Sequence, residues 1–310
     1  LKMAARLRDM EIPTSIIYGA MPYEARRAQM HQFLSGETKV LVATDAIGMG
    51  LNLPVRRIVF TETEKFDGRV RRPLTPPEVK QIAGRAGRMG LYDVGYVAAI
   101  RSADEDGYLP VCLERPNPLI RRASLGFTDL VASLEYPIAD VLKAWSSQPV
   151  QQPYERMDVS RHIRLIGLLY RFVPMSQQLP REDLLRACGI PFDEGREQLL
   201  YQFFQYMSVY CKGAEKELEK PVLQGGQLDD LELYFKRLEL YYSFSKTFQY
   251  DYDETWLRAE KMVTSDRINR LLTSDLEKCG PRCRICGRPL PVDSPFGVCE
   301  RCFRRQRAGG

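Results

Sequence analysis

Four short apolar runs, separated by helix-length segments, set the tightest limit on what the first third of this chain can fold into. Ser15–Tyr18, Lys39–Ala43, Arg57–Thr61 and Val94–Ile100 are rich in Ile and Val. Runs of this length and composition predict strands buried on both faces, as in a parallel sheet. Pro22 to Ser35 reads as the helix between the first two, with Pro22 suited to its first turn and Gly36 to its end. Leu1–Met10 reads as another helix, whose preceding strand lies outside the chain. Such alternation implies an α/β layer fold.

Two segments stand out on this frame. In Lys39-Val-Leu-Val-Ala-Thr-Asp-Ala-Ile-Gly-Met-Gly-Leu-Asn-Leu-Pro54 a strand ends at Ala43 and enters a loop carrying Thr44, Asp45, Gly48, Gly50 and Asn52. Ligands of open α/β sheets sit beyond the carboxyl ends of the strands, which is where this loop lies. Its glycines let backbone N–H groups approach an anion. Alone, the pattern fits a tight turn equally well.

The second segment is Thr75-Pro-Pro-Glu-Val-Lys-Gln-Ile-Ala-Gly-Arg-Ala-Gly-Arg88. Thr75 and Glu78 have capping-box spacing, and the prolines occupy the first turn, where no N–H is needed. Gln81, Arg85 and Arg88 fall at i, i+4 and i+7, which predicts one helix face. Gly84 and Gly87 would each cost about 1 kcal/mol in a helix interior, so they point to close approach of a neighbouring backbone. Two parallel guanidiniums suit a triphosphate. The competing reading is a solvated basic face.

The rest of the chain changes character. Residues 101–150, with Pro110, Pro116 and Pro118, read as a connector. Residues 155–275 read as mostly helical. The clearest helix spans 227–247, with Leu228, Leu231, Phe235, Leu238 and Tyr242 on one stripe and Tyr234, Tyr241 and Phe248 on a second. Its aromatics read as helix packing. A further helix over 254–273 has Asp251 and Glu254 at capping-box spacing.

The formal charge of +5 over 310 residues conceals a division. Residues 278–310 carry Lys278, Arg282, Arg284, Arg288, Arg301, Arg304, Arg305 and Arg307 against Asp293 and Glu300. Five of the eight cysteines lie in that tail, while Cys112, Cys188 and Cys211 are scattered, which argues against a disulfide scaffold. Cys283-x-x-Cys286 and Cys299-x-x-Cys302 are paired turns of the kind that complete a tetrahedron around Zn²⁺. Gly287 fits the tight turn after the first pair, and Cys279 is the substitute ligand. The alternative is free or redox-active thiols. A four-thiolate site is closed to catalysis, and the tail stays basic with zinc bound, which suits salt-dependent phosphate contacts. A solvated end fits residues 303–310 equally well. No apolar run approaches the roughly 18 residues of a membrane span, no signal-peptide pattern opens the chain, and His31 and His162 lack catalytic partners in sequence.

At this point the motifs carry a resemblance. Ala-Thr-Asp-x-x-x-x-Gly-x-Asn-Leu-Pro and Gln-x-x-Gly-Arg-x-Gly-Arg resemble motifs V and VI of superfamily 2 helicases, and Ile17-Tyr-Gly-Ala-Met-Pro22 resembles the segment after motif IV. Lys65-Phe-Asp-Gly68, Arg72-Pro-Leu-Thr75 and the helix from Leu228-Asp-Asp-Leu-Glu-Leu233 narrow this to the Suv-three RNA helicase family of the mitochondrial degradosome type. The likeness does not extend to the cysteine tail.

The resemblance implies an N-terminally truncated second RecA-like lobe over 1–108 and a helical helicase domain over 109–277; the cysteine pattern adds a zinc-binding tail over 278–310. It implies that Arg85 and Arg88 act as arginine fingers on the γ-phosphate, supported by Gln81. Thr44 would touch the nucleic-acid backbone, Asp45 would link motif V to the nucleotide, and Gly48, Gly50 and Asn52 would shape the loop. Segment 62–74 would contact the duplex junction. ATP and Mg²⁺ are the implied cofactors, with RNA as substrate, DNA not excluded, and a ribonuclease as partner. The bacterial cytoplasm or the mitochondrial matrix is the implied compartment. No Gly-x-x-x-x-Gly-Lys-Ser/Thr phosphate loop occurs in the 310 residues. The expectation is therefore a chain that lacks the first lobe and does not hydrolyse ATP alone. A non-enzymatic nucleic-acid-binding or protein-docking module is the alternative.

Overall fold

The computed structural model describes residues 1–48, 53, 55–67, 70–87, 92–104, 106–117, 123–127, 135–213, 216–274, 276, 282–288, 290, 294 and 296–307. It divides into two compact units. One comprises Leu1–Pro118, Gly225–Glu232 and Met262–Gly310; the other comprises Leu119–Gln224 and Leu233–Lys261.

The first unit opens with α1 (Lys2–Asp9), β1 (Thr14–Ile17), α2 (Tyr23–Leu34) and β2 (Val40–Ala43). β1 and β2 pair in parallel, with Thr14 opposite Val40 and Ile17 opposite Ala43. Pro22 stands at the N-cap of α2, and Gly36 beyond its end takes φ +82°, as the sequence leads one to expect. Next come β3 (Arg57–Phe60), the hairpin β4 (Glu64–Phe66) and β5 (Arg71–Pro73), α3 (Pro76–Ala83), β6 (Tyr96–Ala99) and α4 (Tyr108–Glu114). β3 and β6 form a second parallel ladder, with Arg57 opposite Tyr96.

The expectation of strands buried on both faces holds for β1 alone. β2 is half-buried, and β3 and β6 alternate, turning Val59 and Tyr96 outward. Arg56 and Arg57 lie over the Tyr96 ring on that open face, at 5.9 and 5.8 Å from its centroid. One apolar cluster gathers Ile17, Leu53 and Val55; a second gathers Phe60, Leu74, Val79, Ile82, Leu109 and Cys112. Ile47 and Ile58 pack against both, so the core is continuous beneath the two ladders.

The second unit begins with β7 (Ala123–Leu125), α5 (Ile138–Ser147) and β8 (Tyr154–Arg156), followed by α6 (Ser160–Phe172), α7 (Arg181–Gly189) and α8 (Glu197–Lys212). Among the described residues, the supposed connector 101–150 thus holds two α-helices, a 3₁₀ turn over Arg101–Ala103 and a strand. Its prolines misled because Pro110 falls within the first turn of α4, where no N–H is required. The unit boundaries fall inside α9 (Leu228–Phe248) and α10 (Glu254–Ser274). α9 buries both predicted stripes save Tyr242, which is half-buried; Leu231, Leu238 and Tyr241 are almost wholly enclosed, as is Phe244 outside the stripes. Phe203 lies 6.2 Å from Phe244 edge-on and 4.8 Å from Phe192, which places these aromatics in helix packing. The cap of α10 is Asp253, which accepts from the Trp256 N–H at 2.9 Å. Asp251 instead pairs with Glu217 in a β-bridge.

A buried glutamine fastens the first unit internally. Gln29 on α2 accepts from the Ile16 N–H at 2.8 Å and donates to Asn269 and Thr273 of α10 at 2.9 and 3.0 Å. A wholly buried amide is tolerated because its donor and acceptor are both used. The chain ends with α11 (Glu300–Arg307).

Candidate functional site

β2 delivers Thr44 to the carboxyl end of the ladder, where its N–H continues the pairing by donating to the Ile17 carbonyl at 3.0 Å. The chain then tightens into a 3₁₀ turn over Asp45–Gly48. The Thr44 hydroxyl oxygen accepts from the Ala46 N–H at 3.4 Å, a local turn that fixes the threonine at the surface. Gly50 and Asn52 lie outside the described residues.

α3 starts as the sequence requires. Thr75 is the N-cap, Pro76 and Pro77 fill the first turn, and the Glu78 carboxylate accepts from the Thr75 N–H at 2.8 Å. The helix is shorter than expected, however. It ends at Ala83 with Gly84 as C-cap, so Arg85 leaves on a tight turn and not from a helix face. Arg88 lies outside the described residues. Gly87 takes φ +75°, and its N–H donates to the Val55 carbonyl at 2.8 Å. A Cβ there would stand 2.8 Å from the Gly95 nitrogen, and a Cβ on Gly95 would stand 2.4 Å from the Ala86 carbonyl carbon. Gly87 therefore serves the close backbone approach inferred for it. Gly84 serves helix termination.

The fold brings the two segments together. Arg85 Nη2 donates to the Gly48 carbonyl at 2.5 Å, and Gly48 is close enough to Gln81 that a Cβ would lie 3.5 Å from the glutamine Cγ. Arg85 Nε is buried and without a hydrogen-bond partner among the described residues. Three of the singled-out residues thus meet in one place.

A charged chain of contacts runs beside this meeting point. Lys65 Nζ on β4 lies 2.8 Å from Asp45 and 2.9 Å from Glu78, joining the loop after β2 to the first turn of α3. Arg72 on β5 donates through both terminal nitrogens to Glu78, at 2.9 and 3.0 Å, and through Nε to Asp67 at 3.1 Å. The Arg72 guanidinium, helped by Lys65 and Thr75, holds the Glu78 carboxyl well below the usual carboxylate range. Hydrogen bonds to Asp45 and Glu78 push the Lys65 ammonium up. Sequence reading singled out Asp45 and Glu78 but not their linkage, because hairpin register places Lys65 and Arg72 and no local spacing encodes it.

The tail makes a separate centre. The sulfur atoms of Cys283, Cys286, Cys299 and Cys302 lie within 4.8 Å of one another, with Cys286 and Cys299 at 3.6 Å. Tetrahedral zinc with bonds near 2.3 Å sets sulfurs roughly 3.8 Å apart. A disulfide needs about 2.05 Å. Gly287 at φ +69° closes the first turn, and the Cys299 N–H donates to Cys283 Sγ at 3.2 Å. That N–H pulls the Cys283 thiol down to about 6, while hydrogen bonding with Cys286 and then Cys299 pushes Cys302 up to about 12. Four sulfurs so close cannot all carry charge without a cation among them. By contrast, it is chiefly burial, opposed by Arg161, that pushes the Cys188 thiol, away from the quartet, up to about 12. Cys279 lies outside the described residues.

The parallel ladders, the turn after β2 and the arginine seated against it define the C-terminal, RecA-like lobe of a superfamily 2 helicase. Residues 1–90 match the family model described as helicase conserved C-terminal domain. The chain is 33% identical over 282 residues to the mitochondrial ATP-dependent RNA helicase SUV3 of Oryza sativa subsp. japonica, covering 83% of this chain and 47% of that protein. It is 42% identical over 121 residues to the SUV3 of Candida albicans, covering 38% of this chain and 17% of that one. The solved C-terminal domain of the DEAD-box protein Dbp5 aligns with TM-score 0.28 at 14% identity, over 54% of this chain and 74% of that chain, and carries no weight. The chain belongs to the Suv3-like family of superfamily 2 helicases, and it spans about half the length, or less, of these curated relatives.

Proposed function

We propose that this chain is the C-terminal part of an ATP-dependent RNA helicase, with a second RecA-like lobe, a helical platform and a zinc-bearing tail. The observation that carries this is the Arg85–Gly48 contact at 2.5 Å, which joins the two helicase motifs in the lobe. Arg85 and Arg88 are the fingers on the transferring phosphoryl group, and Gln81 supports them. The Gly48 carbonyl seats the Arg85 guanidinium beforehand, so little reorganisation accompanies the build-up of charge on phosphate oxygens. Thr44, exposed at the strand end, contacts the RNA backbone. Asp45 links it to the nucleotide through its turn and through Lys65. Gly48, Gly50 and Asn52 shape the loop.

Bound ATP with Mg²⁺ supplies the driving reaction, and its phosphate loop belongs to a first lobe, since none occurs in these 310 residues. The cysteine quartet holds one structural Zn²⁺, a role supported by its sulfur spacing. The family likeness also supports a ribonuclease partner, and the names of the relatives favour the mitochondrial matrix over a bacterial cytoplasm.

Joining the chain to a Suv3-like first lobe tests this reading. The joined protein should hydrolyse ATP with stimulation by single-stranded RNA, more strongly than by matched DNA, while the chain alone shows no turnover. RNA-stimulated turnover by the purified chain alone would overturn it. RNA binding without restored turnover would favour the non-enzymatic module.

A further inference from the structure

We propose that the metal-pinned tail is a second site for single-stranded nucleic acid, on which Phe296 and Phe303 stack bases while the surrounding arginines take phosphates. Among the described residues of the module from 282 to 307, the core is small: Cys283, Leu290 and Cys302 are buried, with Val298 and Cys299 against them. A unit that small gains from every apolar side chain it can enclose. Yet Phe296 is 70% exposed, Ile285 52% and Phe303 49%. Phe296 and Ile285, standing in water beside a four-cysteine knuckle, mark a surface built for a partner.

Charge identifies the occupant. Arg284, Arg288, Arg301 and Arg305 are exposed and form no ion pair among the described residues. Arg282 is drawn to Asp230 at 3.2 Å, and Arg304 to Glu300. The polymer that fits must therefore offer anions and flat apolar faces together, which nucleobases on a phosphate chain do.

The geometry keeps these groups near one another. Arg284 and Ile285 lie between the first two cysteines, Arg301 lies between the second two, and Phe303 follows Cys302 directly. The Arg284 N–H donates to the Gly297 carbonyl at 2.9 Å, and a Cβ on Gly297 would stand 2.8 Å from Arg284 Nε. The missing side chain at 297 thus gives the Arg284 stem a seat one residue from Phe296. Arg284 thus lies against the residue that follows Phe296 in the chain.

The proposal rests on the zinc reading for its rigidity but not on the ATPase reading. Anisotropy of a fluorescein-labelled 12-nucleotide oligouridine, titrated with the whole chain at several salt concentrations, tests it. Zinc content is measured on every sample, so failure of the metal assignment shows in the wild-type chain whatever the RNA result. Phe296→Ala/Phe303→Ala should bind about tenfold or more weakly with an unchanged salt slope, since each stacked base is worth a factor of about 5 to 150. Phe296→Tyr/Phe303→Tyr should restore binding. Arg284→Gln/Arg288→Gln should lower the slope of log affinity against log salt by about 0.7 for each phosphate no longer neutralised. Affinity and slope unchanged in zinc-loaded variants would overturn the proposal. So would variants that lose binding to phosphatidylserine vesicles while keeping RNA binding.

Discussion

Glu78 shows how one carboxylate can serve three structures. It closes the capping box of α3, accepts both Arg72 terminal nitrogens from the hairpin and pairs with Lys65, which also holds Asp45. Its carboxyl is ionised far below its ordinary value of 4.5. A depressed folded-state value gives stability that is complete above the unfolded value and is lost as pH falls below it. Thermal unfolding of the wild-type chain should therefore weaken progressively below pH about 4.5. Glu78→Gln should lose about 1–2 kcal/mol at pH 7 and show a shallower acid limb. Equal stabilities at pH 7 would remove Glu78 from this role. The capping half of that role is readable from Thr75 and Glu78 three residues apart, because a cap is a local structure. The ionic half is not, because strand pairing brings Lys65 and Arg72 into place.

At the scale of elements, the tight contacts are made by backbone. Gly95 lies so close to the turn after α3 that Gly95→Ala must push Ala86 away, with an expected loss of about 1–3 kcal/mol by thermal or urea unfolding. Gly19→Ala, with nothing within 4 Å, should stay within about 0.5 kcal/mol of wild type. Equal losses at the two positions would contradict the close approach. The same turn explains why the sequence overstated α3. Spacing of i, i+4 and i+7 is satisfied by Gln81, Arg85 and Arg88 whether or not the helix continues, and Gly84 was the stop signal. The strands were readable in position but not in burial. A run of Ile and Val at β3 looks closed on both faces, yet Val59 is exposed because only the opposite face meets the core. The α10 cap shifted by two residues for a similar reason, since Asp251 and Asp253 both sit at plausible distances from the first turn.

At the scale of the whole molecule, motifs separated by more than thirty residues converge where Ile47 and Ile58 pack against both apolar clusters of the lobe. The order of the chain and the helicase motifs were readable in the sequence. The return of α10 to the first unit was not, because the contacts that Gln29 makes there, to Asn269 and Thr273, follow no local sequence pattern. In the basic tail, the four cysteines of the paired turns share a single cluster, which their pairing in the sequence foreshadows. The central claim is that Arg85, seated by Gly48, is an arginine finger. Steady-state ATP turnover of the lobe-completed protein with saturating single-stranded RNA tests it most directly. Arg85→Ala should lower kcat by about 10³-fold or more, and Arg85→Lys should recover little of it, with RNA affinity unchanged within about twofold. A kcat within about tenfold of wild type in Arg85→Ala would contradict the account.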